Sequence, residues 1–101
     1  MADTFIRNCI RDDKVTLFIK SGCSYSRNAL DLLKSFTFVP GGLQVVDITA
    51  REDVQNYFKQ RMGQTSTPHV FIGKHCVGGF SDLQSVCCDL PRMLQQIGAL
   101  R

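Results

Sequence analysis

The sequence has no long apolar run, no block of like charges and no secretory leader. A membrane-spanning helix needs about 20 consecutive apolar residues, and no stretch approaches that length. The first residues, Met-Ala-Asp-Thr-Phe, lack the basic and apolar segments of a signal peptide. The formal net charge is only +3, and Lys and Arg are scattered among acidic residues, unlike a nucleic-acid-binding patch. We therefore expect a cytoplasmic protein with neither a membrane nor a nucleic acid as partner.

The five cysteines do not suit a disulfide framework, which uses an even number of cysteines in a secreted chain. A chain of 101 residues can bury a core without such bridges, so we expect one domain, residues 1–101, with reduced thiols. No second Cys or His stands at ligand spacing near Cys23 or beside Cys87-Cys88, so no metal site is predicted. These cysteines are Cys9, Cys23, Cys76, Cys87 and Cys88.

The first half of the chain has the pattern of a strand, a helix and a strand. Val15–Ile19 is short, β-branched and apolar, as in a buried strand. From Ser24 the apolar residues recur at helical spacing until Val-Pro-Gly-Gly at 39–42 ends the helix. Residues 43–48 form a second strand. A crossover of this length predicts two parallel strands with the helix on one face.

The second half predicts a helix, a hairpin and further helices. Residues 51–62 form a polar helix, and two short strands follow at 69–72 and 75–77. Gly73 in the first central position of their two-residue turn indicates type II′. The pattern from Ser81 is helical through Leu90, and Pro91 restarts a last helix. With an opening helix near 3–11, the whole is an α/β fold: a four-stranded mixed sheet flanked by helices on both faces.

Cys23 stands where a buried strand gives way to a helix. Unpaired helical N–H groups and the positive end of the helix dipole stabilise a thiolate at such a position. Lys20 and Arg27 add positive charge, and the Ser26 hydroxyl can donate a hydrogen bond, so we predict a lowered thiol pKa. The alternative is that Cys23 only packs at the strand end, as most buried free cysteines do. Its place at the carboxyl end of a strand favours the reactive interpretation.

Several motifs, in order along nearly the whole chain, resemble glutaredoxin. They are Phe-Ile-Lys at 18–20 before Cys-Ser-Tyr-Ser at 23–26, Thr67-Pro68 before a strand, and Gly-Gly-Phe-Ser-Asp at 78–82. The resemblance is closest to the small cytosolic animal glutaredoxins with two active-site thiols. It implies the thioredoxin fold and a glutathione site.

The resemblance also assigns residues to that site. Lys20 would hold the glycyl carboxylate of glutathione, with Gln55 on the same side. Thr67 would pair its backbone with the cysteinyl part, and Pro68 matches the cis-proline of the family. Read without the resemblance, Lys20 is a solvated strand end and Pro68 a strand-start proline.

By the same resemblance, a second group of residues would bind the γ-glutamyl end of glutathione. Ser81 would bind its carboxylate and Asp82 its ammonium group, with Gly79 beside them, while Tyr25 would form a wall of the groove. Read alone, Ser81 is a helix N-cap and Gly79 part of a hairpin exit.

The sequence departs from the dithiol pattern, because Ser24 and Ser26 replace the proline and the second cysteine of Cys-Pro-Tyr-Cys. Without a resolving thiol, only a monothiol route through Cys23 and a second glutathione remains. Ser26 is either native or a replacement that traps the glutathione adduct; the close likeness to dithiol members elsewhere favours a replacement.

The family's Arg-Thr-Val-Pro appears here as Thr-Ser-Thr-Pro at 65–68, so a positive charge is missing at Thr65. Lys20, with Arg61 or His69, would then supply more of the positive charge that binds the glycyl carboxylate. We interpret His69 as a strand-start residue rather than a general base, because no orienting partner is evident.

The leading hypothesis is a monomeric enzyme that removes glutathione from glutathionylated proteins. A second is a dimer that binds a [2Fe–2S] cluster through Cys23 and two glutathione thiols. A third is an inert scaffold in which Ser26 has abolished turnover. Cys76, and Cys87-Cys88 on a helix, would be packing residues or incidental oxidation sites.

Overall fold

The computed structural model describes residues 2–63 and 67–101. Its centre is a four-stranded sheet in the order β2-β1-β3-β4, where β1 and β2 are parallel and the other pairs antiparallel. The predicted mixed sheet is therefore confirmed, with β2 ending one residue early. The strands are β1 Val15–Ile19, β2 Leu43–Asp47, β3 His69–Ile72 and β4 His75–Gly78.

Helices cover both faces of the sheet, as predicted. Alternate residues of β1 point to opposite faces: Leu17 packs into a cluster with Leu33 and Leu94, and Phe18 packs into another with Phe58 and Val54. All of these side chains are buried. The helices are α1 Ala2–Cys9, α2 Ser24–Lys34, α3 Glu52–Met62, α4 Phe80–Ser85 and α5 Leu90–Gln96.

Two helix ends differ from the prediction. α2 was predicted to end near 39–42 but stops at Lys34. At this end the Ser35 hydroxyl donates to the Leu32 carbonyl at 2.6 Å. Phe36 continues the apolar spacing but packs on the core from beyond the helix. The helix predicted to run from Ser81 to Leu90 ends at Ser85, and turns occupy 86–89. Cys87 and Cys88 therefore lie on a turn, not on a helix.

The β3–β4 hairpin has the predicted turn. Gly73 has φ of 62°, and no described non-glycine residue, Lys74 included, has positive φ, which fits type II′. The pairing of β3 with β4 is irregular between Val70 and Phe71. Across residues 2–63 and 67–101, no helix combines the length and apolar character that a bilayer crossing requires.

Candidate functional site

Cys23 lies at the carboxyl end of β1, directly before α2. It is the N-cap residue of that helix, with extended backbone angles, and its carbonyl accepts the Arg27 N–H at 3.2 Å. The turn behind it closes through the Cys23 N–H and the Lys20 carbonyl at 3.3 Å, with Gly22 at φ of 80°. The half-buried thiol borders a cavity of about 440 Å³ that is also lined by Lys20, Arg27 and Leu30.

A chain of hydrogen bonds runs beneath the sulfur. The Lys20 N–H donates to the Ser26 hydroxyl at 3.4 Å, and that hydroxyl donates to Thr67 Oγ1 at 2.9 Å. The Cys23 thiol is 3.5 Å from the Thr67 carbonyl, to which it donates. Ser26 and Thr67 are 2% and 3% exposed, so α2 and the loop before β3 share a buried polar contact.

The predicted lowering of the Cys23 pKa is confirmed, but its cause differs. Burial raises the pKa of this thiol, but hydrogen bonding that involves the Thr67 and Ser26 side chains and the Ser26 and Tyr25 backbone outweighs burial and lowers the pKa to about 7. Lys20 and Arg27 share the cavity but are not among the causes. The credit given to their charges was therefore wrong: hydrogen bonding to the sulfur accounts for the shift.

The loop around Pro68 lies against the start of α4. The Thr67–Pro68 peptide bond is cis, as the resemblance implied. A Cβ on Gly79 would be in ordinary contact with the Pro68 carbonyl, at 3.6 Å, so the two segments touch. The Tyr25 ring is 59% exposed and lies 6.1 Å from the Phe80 ring, centroid to centroid. The ring near the start of α2 therefore lies close to the ring at the start of α4.

The start of α4 is held by Asp82. Its carboxylate accepts the Gly79 N–H at 3.0 Å, and a Cβ on Gly78 would collide with the same carboxylate. Gly78 also has φ of 118°, a conformation that side chains disfavour. Ser81, in the first turn, is exposed. The structure thus brings Gly79, Ser81 and Asp82 together in one turn.

The Gln55 side chain is hydrogen-bonded to backbone carbonyls of this chain. Its amide nitrogen donates to the Ile48 carbonyl at 2.8 Å and to the Thr49 carbonyl at 3.1 Å, which uses both of its hydrogens. A glutathione carboxylate would have to displace one of these bonds. The side chain pins the loop after β2, a role that the sequence analysis did not foresee.

The sequence analysis also missed a network that fixes the loop before Cys23. The Ser21 N–H donates to Thr49 Oγ1 at 2.7 Å, and the Ser21 hydroxyl donates to Asp47 at 3.1 Å. Asp47 also accepts the Thr49 N–H at 2.8 Å, and hydrogen bonds from Thr49 and Ser21 lower its pKa. The Asp-x-Thr spacing, typical of a side-chain-capped turn, was the available signal.

His69 does not carry the positive charge proposed for it. The side chain is 2% exposed and stacks on Phe58 at 4.1 Å between centroids. Burial lowers the pKa of His69 to about 4, so the ring is neutral at pH 7. It begins β3, as predicted. The Arg61 guanidinium lies over the Tyr57 ring at 5.2 Å, and Thr65 lies outside the described residues.

The other thiols lie in different surroundings. Cys76, expected to be either a packing residue or an incidental oxidation site, is exposed on β4, and Cys87 and Cys88 are exposed too. Burial raises the pKa of Cys9, and a hydrogen bond with Cys87 raises that of Cys88. Within residues 2–63 and 67–101, no cluster of three or more His, Cys, Asp or Glu could hold a metal ion.

Comparison with known proteins gives consistent results. The family model described as Glutaredoxin matches residues 15–77. The chain is 56% identical over 100 residues to Glutaredoxin-1 of Gallus gallus, covering 99% of each chain. It is 43% identical over 106 residues to Glutaredoxin-1 of Sus scrofa, covering both chains fully.

Solved structures agree in fold. The structure superposes on oxidized glutaredoxin 2 from Chlamydomonas reinhardtii with a TM-score of 0.82 at 29% identity, covering 98% of this chain and 95% of that one. A buckwheat glutaredoxin–glutathione complex gives a TM-score of 0.86 at 24% identity, covering 100% and 94%. The thioredoxin fold, shared by these proteins, is confirmed.

Proposed function

The chain belongs to the glutaredoxin family of glutathione-dependent oxidoreductases, and from this premise we propose that it reduces protein–glutathione mixed disulfides by a monothiol mechanism through Cys23. The observation that carries the proposal is the half-exposed Cys23 sulfur, whose pKa is lowered to about 7. At neutral pH about half of these thiols are ionised. The thiolate is the nucleophile in disulfide exchange.

The proposed reaction has two exchanges. The Cys23 thiolate attacks the glutathione sulfur of the substrate, the Cys23–glutathione disulfide forms, and the protein leaves as a thiolate that takes up a proton. A second glutathione, as thiolate, then attacks the glutathione sulfur of that adduct. This step releases glutathione disulfide and restores the Cys23 thiolate. For each mixed disulfide reduced, one free glutathione is consumed, and it leaves as glutathione disulfide joined to the glutathionyl group that the substrate brought.

Ser26 supports the monothiol form of this reaction. It occupies the position of the resolving cysteine in dithiol members, and an alcohol cannot displace a disulfide sulfur as a thiolate does. A disulfide within one protein would leave Cys23 joined to that substrate with no neighbouring thiol to release it. Glutathione mixed disulfides are therefore the proposed substrate class.

We place glutathione in the groove between Tyr25 and the loop at Thr67. Lys20 would pair with its glycyl carboxylate and the Thr67 backbone with its cysteinyl part. Support comes from Lys20 lining the cavity beside Cys23 and from Thr67 facing the sulfur. The buckwheat protein of the same fold is complexed with glutathione.

The γ-glutamyl end would lie at the start of α4. Ser81 would bind its carboxylate, and Asp82 would face its ammonium group while it holds the Gly79 N–H. Pro68 shapes this side of the groove, and Gln55 would contribute only after releasing a backbone carbonyl. The partners in this proposal are glutathione and glutathionylated proteins, met by a monomer in the reducing cytoplasm, which suits five free thiols.

The test compares the unaltered chain with Cys23→Ser on a glutathionylated peptide, with glutathione in excess. We expect turnover in the first and none above background in the second, because only the sulfur carries the exchange. Cys88→Ser is the matched control and should turn over normally. Equal rates with and without Cys23 would falsify the assignment.

A second experiment isolates the monothiol step. Ser26→Cys supplies the missing thiol, so it should reduce a peptide with an internal disulfide that the unaltered chain leaves oxidised. Both proteins should still act on the glutathionylated peptide. Efficient reduction of the internal disulfide by the unaltered chain would contradict the monothiol mechanism.

The alternative of a [2Fe–2S] cluster would need ligands from beyond this chain. The described residues bring Cys23 alone among thiols to the site and include no cluster of metal ligands, so a partner subunit and two glutathione thiols would have to complete it. Nothing in the geometry favours this assembly. Absorbance in the visible range, lost on gel filtration without glutathione, would support it.

A further inference from the structure

The hydroxyl of Ser26 is fixed from both sides. It accepts the Lys20 N–H at 3.4 Å and donates its single proton to Thr67 Oγ1 at 2.9 Å. The Ser26 and Thr67 side chains are almost fully buried, and a buried hydroxyl without hydrogen-bond partners costs free energy. The position of the absent thiol is thus a completed hydrogen-bonding site.

The direction of this bond decides what Thr67 can do. Because Thr67 Oγ1 accepts from Ser26, its own proton is free for another acceptor. The nearby acceptor is Cys23: its thiol donates to the Thr67 carbonyl at 3.5 Å, and the Thr67 side chain is the largest of the hydrogen-bonding contributions at this sulfur. On ionisation the sulfur stops donating to the carbonyl and accepts from the hydroxyl instead.

We propose that Ser26 and Thr67 form a hydroxyl relay, anchored on the Lys20 N–H, which presents the Thr67 proton to the Cys23 thiolate. Thr67 is then a positioning residue through its side chain, in addition to the backbone role proposed above. The inference deepens the proposed function, since it concerns the same sulfur. A valine, which the family pattern has at this place, fills the same volume but has no proton to offer.

The relay acts alongside the other groups around the sulfur. From α2, the Ser26 and Tyr25 N–H groups also bond it. The charged groups that share its cavity are Lys20 from the end of β1 and Arg27 from α2. Since neither cation contributes to the lowered pKa, removal of one hydroxyl should be visible against a constant background.

The test is the pH profile of Cys23 alkylation by iodoacetamide, followed by mass spectrometry of its peptide so that the other thiols do not contribute. For Thr67→Val we expect the midpoint to move up by about one pH unit, because the thiolate loses a hydrogen bond that favours its charged form. Ser26→Ala should move it upward by less, because the Thr67 hydroxyl stays but loses its orientation.

Two controls keep the result interpretable. Thr67→Ser restores a hydroxyl and should return the midpoint toward that of the unaltered chain. Ser24→Ala removes an exposed hydroxyl from the same turn and should leave the midpoint in place. A role in packing alone would leave the midpoint unchanged in Thr67→Val.

An unchanged midpoint in both Thr67→Val and Ser26→Ala would overturn the relay. The readout follows the sulfur, not turnover, so it is separate from the proposed function. If Thr67→Val shifts the midpoint but the unaltered chain is inactive on glutathionylated peptide, the relay is supported and the proposed reaction is contradicted. If the unaltered chain is active but Thr67→Val shows no shift, the reaction is supported and the relay is contradicted.

Discussion

The Cys23 region and the Cys87–Cys88 turn both place thiols just before a helix, yet their chemistry diverges. Cys23 precedes α2 and its pKa is lowered to about 7. Cys88 lies two residues before α5, and there a hydrogen bond and charge from Cys87, with the charge of Asp89, raise its pKa. Proximity to a helix start is common to both and therefore does not explain the difference.

The difference lies in what touches the sulfur. Around Cys23 the neighbours are donors: the backbone N–H groups of Ser26 and Tyr25, and the Thr67 hydroxyl, to which the Ser26 hydroxyl donates. Around Cys88 they are another thiol and a carboxylate. Hydrogen bonds to the charged form favour ionisation, and like charges oppose it. The comparison teaches that the loop before β3, far away in sequence, helps to lower the pKa of the Cys23 thiol.

The largest expected effect is on relative reactivity. The ratio of Cys23 to Cys88 reaction rates with a small aromatic disulfide should fall more than about tenfold as the pH rises from about 6 to 10, because the pKa of Cys23 is lowered to about 7 while the pKa of Cys88 is raised. The different accessibility of the two thiols cancels in the change of this ratio with pH. Residue-resolved mass spectrometry measures it, and a ratio independent of pH would end the comparison.

A second prediction concerns His69, buried next to Pro68 behind the Cys23 region. Its pKa of about 4 in the folded protein lies below the ordinary 6.5, so between these pH values the unfolded chain binds a proton that the folded chain does not. The free energy of unfolding therefore includes the full contribution of His69 above about pH 6.5 and loses it as the pH falls toward 4. Urea unfolding should show about 2 kcal/mol less stability at pH 5 than at pH 7.

The chain's second histidine provides the control for this experiment. His75 is exposed on β4, so His75→Gln should keep the loss of stability between pH 7 and pH 5. His69→Gln should abolish most of that loss, whatever its stability at pH 7. The same slope in both variants would refute the assignment to His69.

The smallest effect is expected on the pKa of Cys88, in the Cys87–Cys88 turn. Cys87→Ala removes the leading cause of the raised Cys88 pKa, so the alkylation midpoint of Cys88 should fall by a few tenths of a pH unit, as for exposed groups in water. Asp89→Asn should lower it by less. A midpoint that rises in Cys87→Ala would show that the neighbouring thiol stabilises the Cys88 thiolate.

Local patterns predicted the sheet and most of the helices, because alternation and helical spacing are visible within a few residues. They failed where tertiary packing takes over. Phe36 keeps the helical spacing of α2, yet it packs on the core after the helix has ended. The break between α4 and α5 has no Gly or Pro to announce it, since Pro91 lies inside the first turn of α5.

The site was predictable to the same limit. Cys23 and Ser26 stand in one motif, and the departure at Thr67 was visible in the sequence. Their contact was not, because 41 residues separate the two hydroxyls. The rule that buried hydroxyls find partners predicts that each has one, without saying which. Lys20 and Arg27 were credited for their charges alone, which solvent screens at a partly open site.

The irregular pairing between β3 and β4 has a consequence for the outer edge of the sheet. β4 has only four residues, and its register with β3 shifts opposite Val70 and Phe71. A short, irregular border strand presents few evenly spaced amides and carbonyls to an incoming strand. Growth of the sheet into a continuous fibre is therefore disfavoured along this border.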